Sequence, residues 1–141
     1  MYSEYESFLE GKLEGALIIV VVAFIISIIA VLLTWGLKTE KAYKIIASII
    51  LVATIVCSLC YVIPYKKDID GNAFIEYSGE LWVEEVYRGR GTPMRVVITF
   101  PDGKTKQYNM YDTIQLSEGS YSARILYSKH TNHLFEFELL N

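Results

Sequence analysis

The chain has 141 residues, a formal net charge of −3, 52% hydrophobic residues and 21% charged ones. Two long uncharged apolar runs exclude a disordered chain and an ordinary soluble globule. No segment clusters Lys and Arg as phosphate neutralisation requires, which excludes a nucleic-acid-binding role.

Residues 1–15 form a short acidic segment, with Glu4, Glu6, Glu10 and Glu14 set against Lys12. It lacks the positive start and small-residue cleavage site of a signal peptide, so the apolar run that follows is expected to be a retained anchor. That run, Ala16 to Leu37, has 22 residues without a charge. At ~1.5 Å per helical residue it spans roughly 33 Å, against a hydrocarbon core of ~30 Å. It is therefore predicted to be a first transmembrane helix over 16–37. Residues 38–44 are a basic connector with Lys38, Lys41 and Lys44. A second transmembrane helix is predicted over 45–63. Pro64 is expected to stop it, and Trp35, Tyr61 and Tyr65 suit the headgroup level. So short a connector makes the two helices antiparallel neighbours. Ala23, Ser27, Ala30 and Thr34 on one helix, and Ala47, Thr54 and Ser58 on the other, offer seams where backbones can approach. The same faces could support a homo-oligomer.

Lysines on the connector against an acidic head place the connector in the cytoplasm and both termini outside, in a cell membrane of bacterial type. Lys66 and Lys67 after the second helix pull the other way.

After Pro64 the apolar period changes from helical to alternating, so 66–141 is read as a β domain. Met94, Val96, Ile98 and Phe100 alternate with more polar neighbours, as do Tyr121, Ala123, Ile125 and Tyr127. Turn signals fall at 77–79, 88–93, 101–103, 117–119 and 129–133. They predict seven short strands, near 72–77, 80–88, 94–100, 104–110, 113–116, 120–128 and 133–140. The fold class is thus a membrane-anchored α+β chain: a two-helix transmembrane hairpin followed by a small antiparallel all-β domain, either an immunoglobulin-like sandwich or a small barrel.

The stretch from Leu116 to Ala123 resembles the corner of immunoglobulin-like domains, where an acidic residue, Gly and Tyr precede a strand. The resemblance implies that the Tyr121 hydroxyl bonds back to the backbone as a structural corner. Ala123 stands where that family has a cysteine, so its inter-sheet disulfide is missing. The likeness speaks to fold alone.

Few residues suggest chemistry. Cys57 and Cys60 form a CxxC, which at an exposed helix N-terminus would be a redox pair. Here they lie within an apolar helix and read as packing residues, with membrane thiol-disulfide exchange as the alternative function. His130 and His133 are expected to be exposed loop histidines, since no third metal ligand accompanies them. Arg88-Gly89-Arg90-Gly91 reads as a flexible loop able to meet an anionic group. No hydrolase, zinc-protease or phosphate-loop motif is present. The expectation is a non-enzymatic integral membrane protein, without cofactor or metal, whose β domain binds a protein partner in an accessory, sensory or immunity-type role.

Overall fold

The computed structural model describes residues 2–90 and 92–141, and only the backbone of Thr92 and Pro93. Gly91, the last residue of the arginine–glycine loop, lies outside the described residues. The chain divides into two compact units, Met1–Ile69 and Asp70–Asn141.

The first unit consists of two helices, α1 (Ser3–Gly36) and α2 (Lys41–Asp70). Both exceed the apolar runs that nucleate them. From Ser3 onward the acidic head forms the first turns of α1, in keeping with the near-helical spacing of Tyr5, Leu9 and Leu13. The connector shrinks to residues 37–40, and Lys41 and Lys44 belong to the first turn of α2. Pro64 does not end α2, which continues to Asp70. A proline forfeits one backbone bond, but its fixed φ is close to the helical value and the helix runs on through it. The Tyr61 and Tyr65 rings stack beside that turn, with centroids 5.2 Å apart.

The less exposed stripe of α1 runs through Leu13, Ala16, Val20, Ala23, Ser27, Ala30 and Thr34, at spacings alternating between three and four. That of α2 runs through Ala47, Leu51, Thr54 and Ser58. Such a period keeps a single face turned towards a partner helix, and small residues predominate in both stripes. Ser27 Oγ and Thr54 Oγ1 meet at 3.3 Å. Hydroxyls in the apolar stretches also bond within their own helix: Ser27 donates to the Ala23 carbonyl at 2.8 Å and Ser58 to that of Thr54 at 2.6 Å. No such group depends on water.

The second unit contains β1 (Phe74–Gly89), β2 (Thr92–Thr99), β3 (Thr105–Met110), β4 (Gly119–Ser128) and β5 (His133–Leu139). They form one mostly antiparallel sheet in the order β1-β2-β3-β5-β4, and β1 pairs with both β2 and β4. Placing β4 beside β1, after the meander β1-β2-β3, is a Greek-key connection. The β3–β5 contact is parallel and short, Asn109 to His133 and Met110 to Leu134.

Five strands replace the seven expected, and they belong to one sheet rather than two. The turn signal at 77–79 does not reverse the chain. Gly79, at φ +154, stays opposite Ala123 while β1 passes straight through. Only a residue without Cβ takes that angle cheaply, and a Cβ there would lie 2.9 Å from the Tyr77 hydroxyl. Residues 113–116 form no strand, although Ile114 and Leu116 are buried and cover the core. The core is built from alternate residues of all five strands, among them Leu81, Val96, Ile98, Tyr108, Ile125 and Leu134.

Candidate functional site

The two halves of β1 have different neighbours. From Trp82 onward it pairs with β2 on one side and, as far as Val83, with β4 on the other. From Phe74 to Leu81 it pairs with β4 alone. The reason lies in the β2–β3 hairpin, which turns after Thr99 through Pro101-Asp102-Gly103. Gly103 adopts φ +80, its N–H donates to the Phe100 carbonyl, and Asp102 Oδ1 accepts the Lys104 N–H at 3.0 Å. The hairpin thus ends short of the first half of β1 and leaves a gap.

A groove of about 690 Å³ occupies this region. Its apolar walls are Tyr77, Phe100 and Tyr127, with the Tyr77 and Phe100 rings edge to face at 5.0 Å. Lys104, Lys106 and Asp102 also line it. Lys104 lies 3.6 Å from the Asp102 carboxylate, an exposed pair of little energetic weight. Lys106 shares the inward register of β3 with the buried Tyr108 and Met110. Its Nζ stands 5.3 Å from the centre of the Tyr127 ring, a cation–π contact. Below it, Tyr108 is fully buried and edge to face with Tyr127 at 4.9 Å. Burial, and then the neighbouring Tyr127 phenol, push the Tyr108 hydroxyl well above the ordinary tyrosine range. An aromatic-walled groove with a cation at its lip can hold an apolar side chain or ring.

The first half of β1 also has an open edge. Tyr77 Oη donates to the Glu80 carbonyl at 2.9 Å, so that carbonyl points away from β4. Backbone groups of alternate residues point the same way in a strand, so Glu76 and Ser78 share this direction. All three residues are exposed. On the outer face, Arg124 is ringed by Glu76 at 3.6 Å, Glu136 at 3.1 Å and Glu138 at 3.2 Å. With Glu80 nearby, that face carries an excess of carboxylates.

The residues singled out from the sequence lie elsewhere. Cys57 and Cys60 are free and exposed on α2, well past its N-terminal turn. Cys57 lines a shallow groove on the helices with Ala23, Thr54 and Ser58. His133 is buried rather than exposed, because the first residue of β5 lies in the sheet. Its N–H donates to Ser128 Oγ at 2.9 Å. Among the described residues no group of three His, Cys, Asp or Glu could hold a metal. Arg88 donates to the Leu116 carbonyl at 2.9 Å and so belongs to the corner rather than to a free loop.

That corner is well connected. Tyr121 Oη donates to the Ser117 carbonyl at 2.8 Å, and its ring meets Phe137 edge to face at 5.5 Å. Glu118 Oε1 accepts the Val86 N–H at 3.3 Å. Tyr121→Phe should therefore lower stability by about 1 kcal/mol, the worth of one partly solvated hydrogen bond, and leave groove binding unchanged. Thermal unfolding of the purified chain measures the first effect; an unchanged midpoint would remove the corner role.

Sequence reasoning missed Tyr77, Phe100, Lys106 and Tyr127 as a group. The available signal was Lys106 itself, a charge in the same alternating register as Tyr108 and Met110. Compared with protein-family models, curated proteins and solved structures, the chain finds no match in any of the three.

Proposed function

We infer that the protein is a non-enzymatic integral membrane protein that anchors a small barrel-like binding domain through a two-helix hairpin. The observation that carries this reading is the groove at the gap in the sheet. It is a concave, aromatic, cation-bearing surface in a unit whose other apolar residues are mostly packed away. The strand count and Greek-key connection are those of small OB-type barrels, which host many functions and specify none.

Support for the membrane location is physical. Each helix has an apolar window of mean hydropathy 3.5 or 2.7 with only 6% of its residues buried. Ile18, Ile19, Ile26 and Leu32 are each more than 60% exposed. Soluble proteins do not leave so continuous an apolar surface in water, and lipid is the solvent that covers it. The lysines at 38, 41 and 44 favour a cytoplasmic position for residues 37–40, with the β domain on the opposite side of a bacterial-type cell membrane. The partner is proposed to be a protein.

A photoreactive side chain placed at Phe100 of the full chain should crosslink a partner in native membranes, and one at Ile26 should not. Capture from Ile26 alone would move the function to the helices and overturn the binding-domain reading.

A further inference from the structure

We propose that the open edge of β1, from Ile75 to Leu81, binds an extended polypeptide segment of alternating basic and apolar residues as an added strand. The inference rests on the binding-domain reading above and names the partner's chemistry. The backbone comes first. Glu76 and Ser78 present N–H and C=O groups outward that neither β4 nor any other described residue pairs, and Glu80 presents its N–H. An unpaired edge of this length is a template for strand addition. Tyr77 occupies the Glu80 carbonyl through its hydroxyl, which limits the free template to the stretch beside the groove.

Side chains select the occupant. A strand added here sends alternate residues to opposite faces. On the inner face they reach the groove of Tyr77 and Phe100, where Lys104 and Lys106 repel cations and the aromatic walls favour apolar groups. On the outer face they meet Glu76 and Glu80, with Glu136 and Glu138 beyond Arg124. Cationic side chains suit that face. A second copy of this chain does not fit. Pairing β1 with itself puts Glu76 and Glu80 on the same face as the copy's own glutamates, and like charges across strands repel. The arrangement thus disfavours self-association at this edge while remaining open to a strand of opposite charge pattern.

The test uses the full chain in zwitterionic detergent micelles and short acetylated, amidated peptides. An alternating lysine–valine peptide should shift the amide resonances of Glu76, Ser78 and Glu80. It should bind at least about tenfold more tightly than the same residues in block order, a difference of about 1.4 kcal/mol. Methylating every second backbone nitrogen of the peptide, in the frame that faces β1, should abolish binding. Glu80→Lys, a change at an exposed position, should weaken the lysine–valine peptide about tenfold and favour a glutamate–valine one. Equal binding of the block-order or methylated peptide would overturn the proposal, since charge alone would then account for it. No binding by any peptide, while Phe100 still crosslinks a partner, would also overturn it and leave the binding-domain reading standing. Loss of the Phe100 crosslink as well would remove both.

Discussion

Ile26→Arg is expected to reduce membrane-integrated protein by about two orders of magnitude. Ile26 lies near the centre of the uncharged stretch of α1 and is 61% exposed. An arginine at the centre of a spanning helix costs about 2.5–3.5 kcal/mol on insertion scales. At about 1.4 kcal/mol per factor of ten, that amounts to the stated loss. The direction of the effect is diagnostic. Were the helices in water, replacing an exposed isoleucine with arginine would be neutral or would improve solubility. Glu4→Arg, at the start of the same helix, serves as the control and should change little. Alkaline carbonate extraction of membranes carrying each variant gives the readout, and undiminished integration of Ile26→Arg would refute the spanning assignment.

Tyr108 yields the largest effect in the β unit. Its side chain is fully buried beside Tyr127. Truncating a buried aromatic to alanine costs about 3–5 kcal/mol. Small domains have total stabilities of about 5–15 kcal/mol, so Tyr108→Ala should unfold the β unit wholly or in large part. Tyr108→Phe should be close to neutral, because the buried hydroxyl makes no hydrogen bond of standard geometry. The pair of variants thus separates ring packing from the phenol.

The phenol also sets an alkaline limit. Burial raises the folded-state pKa of Tyr108 above its unfolded value of about 10. Below that pH both states hold the proton and stability is complete. Above it the unfolded chain releases the proton first, so stability falls as pH climbs towards the folded value. Tyr108→Phe should flatten this decline. Trp82 fluorescence in a Trp35→Phe background follows unfolding of the β unit between pH 8 and 11. An identical alkaline decline in Tyr108→Phe would assign the effect to other groups.

Much of the helical unit was legible because its signals are local. Uncharged runs define the two long apolar helices, and the small residues at 23, 27, 30 and 34 fall on the less exposed stripe of α1. Pro64 does not end α2 because the one backbone bond it removes is a small part of a 30-residue helix. In the β unit, the Pro101-Asp102-Gly103 hairpin was readable from turn chemistry. The length of β1 was not. Leu81 and Val83 share a face with Val86, a shift in alternation that the irregularity between Val83 and Glu85 introduces. Read without that extra residue, the strand loses its phase, and Gly79 looks like a reversal. The groove was hidden for a different reason. It exists only because β1 is longer than β2, and because β4 returns to β1 from over thirty residues away. No local window contains those facts.

That same long strand orders events during synthesis. Phe74 pairs with Ser128, and Ile75 with Tyr127. The β1–β2 hairpin can form as soon as Thr99 has emerged, whereas the β4 side of β1 must wait for nearly the whole remaining chain. Contacts so distant in sequence form slowly. Throughout that interval both edges of residues 74–81 are bare, not one. The glutamates at 76 and 80 therefore protect the nascent protein first. Like charges on that face oppose pairing between neighbouring nascent copies before β4 arrives.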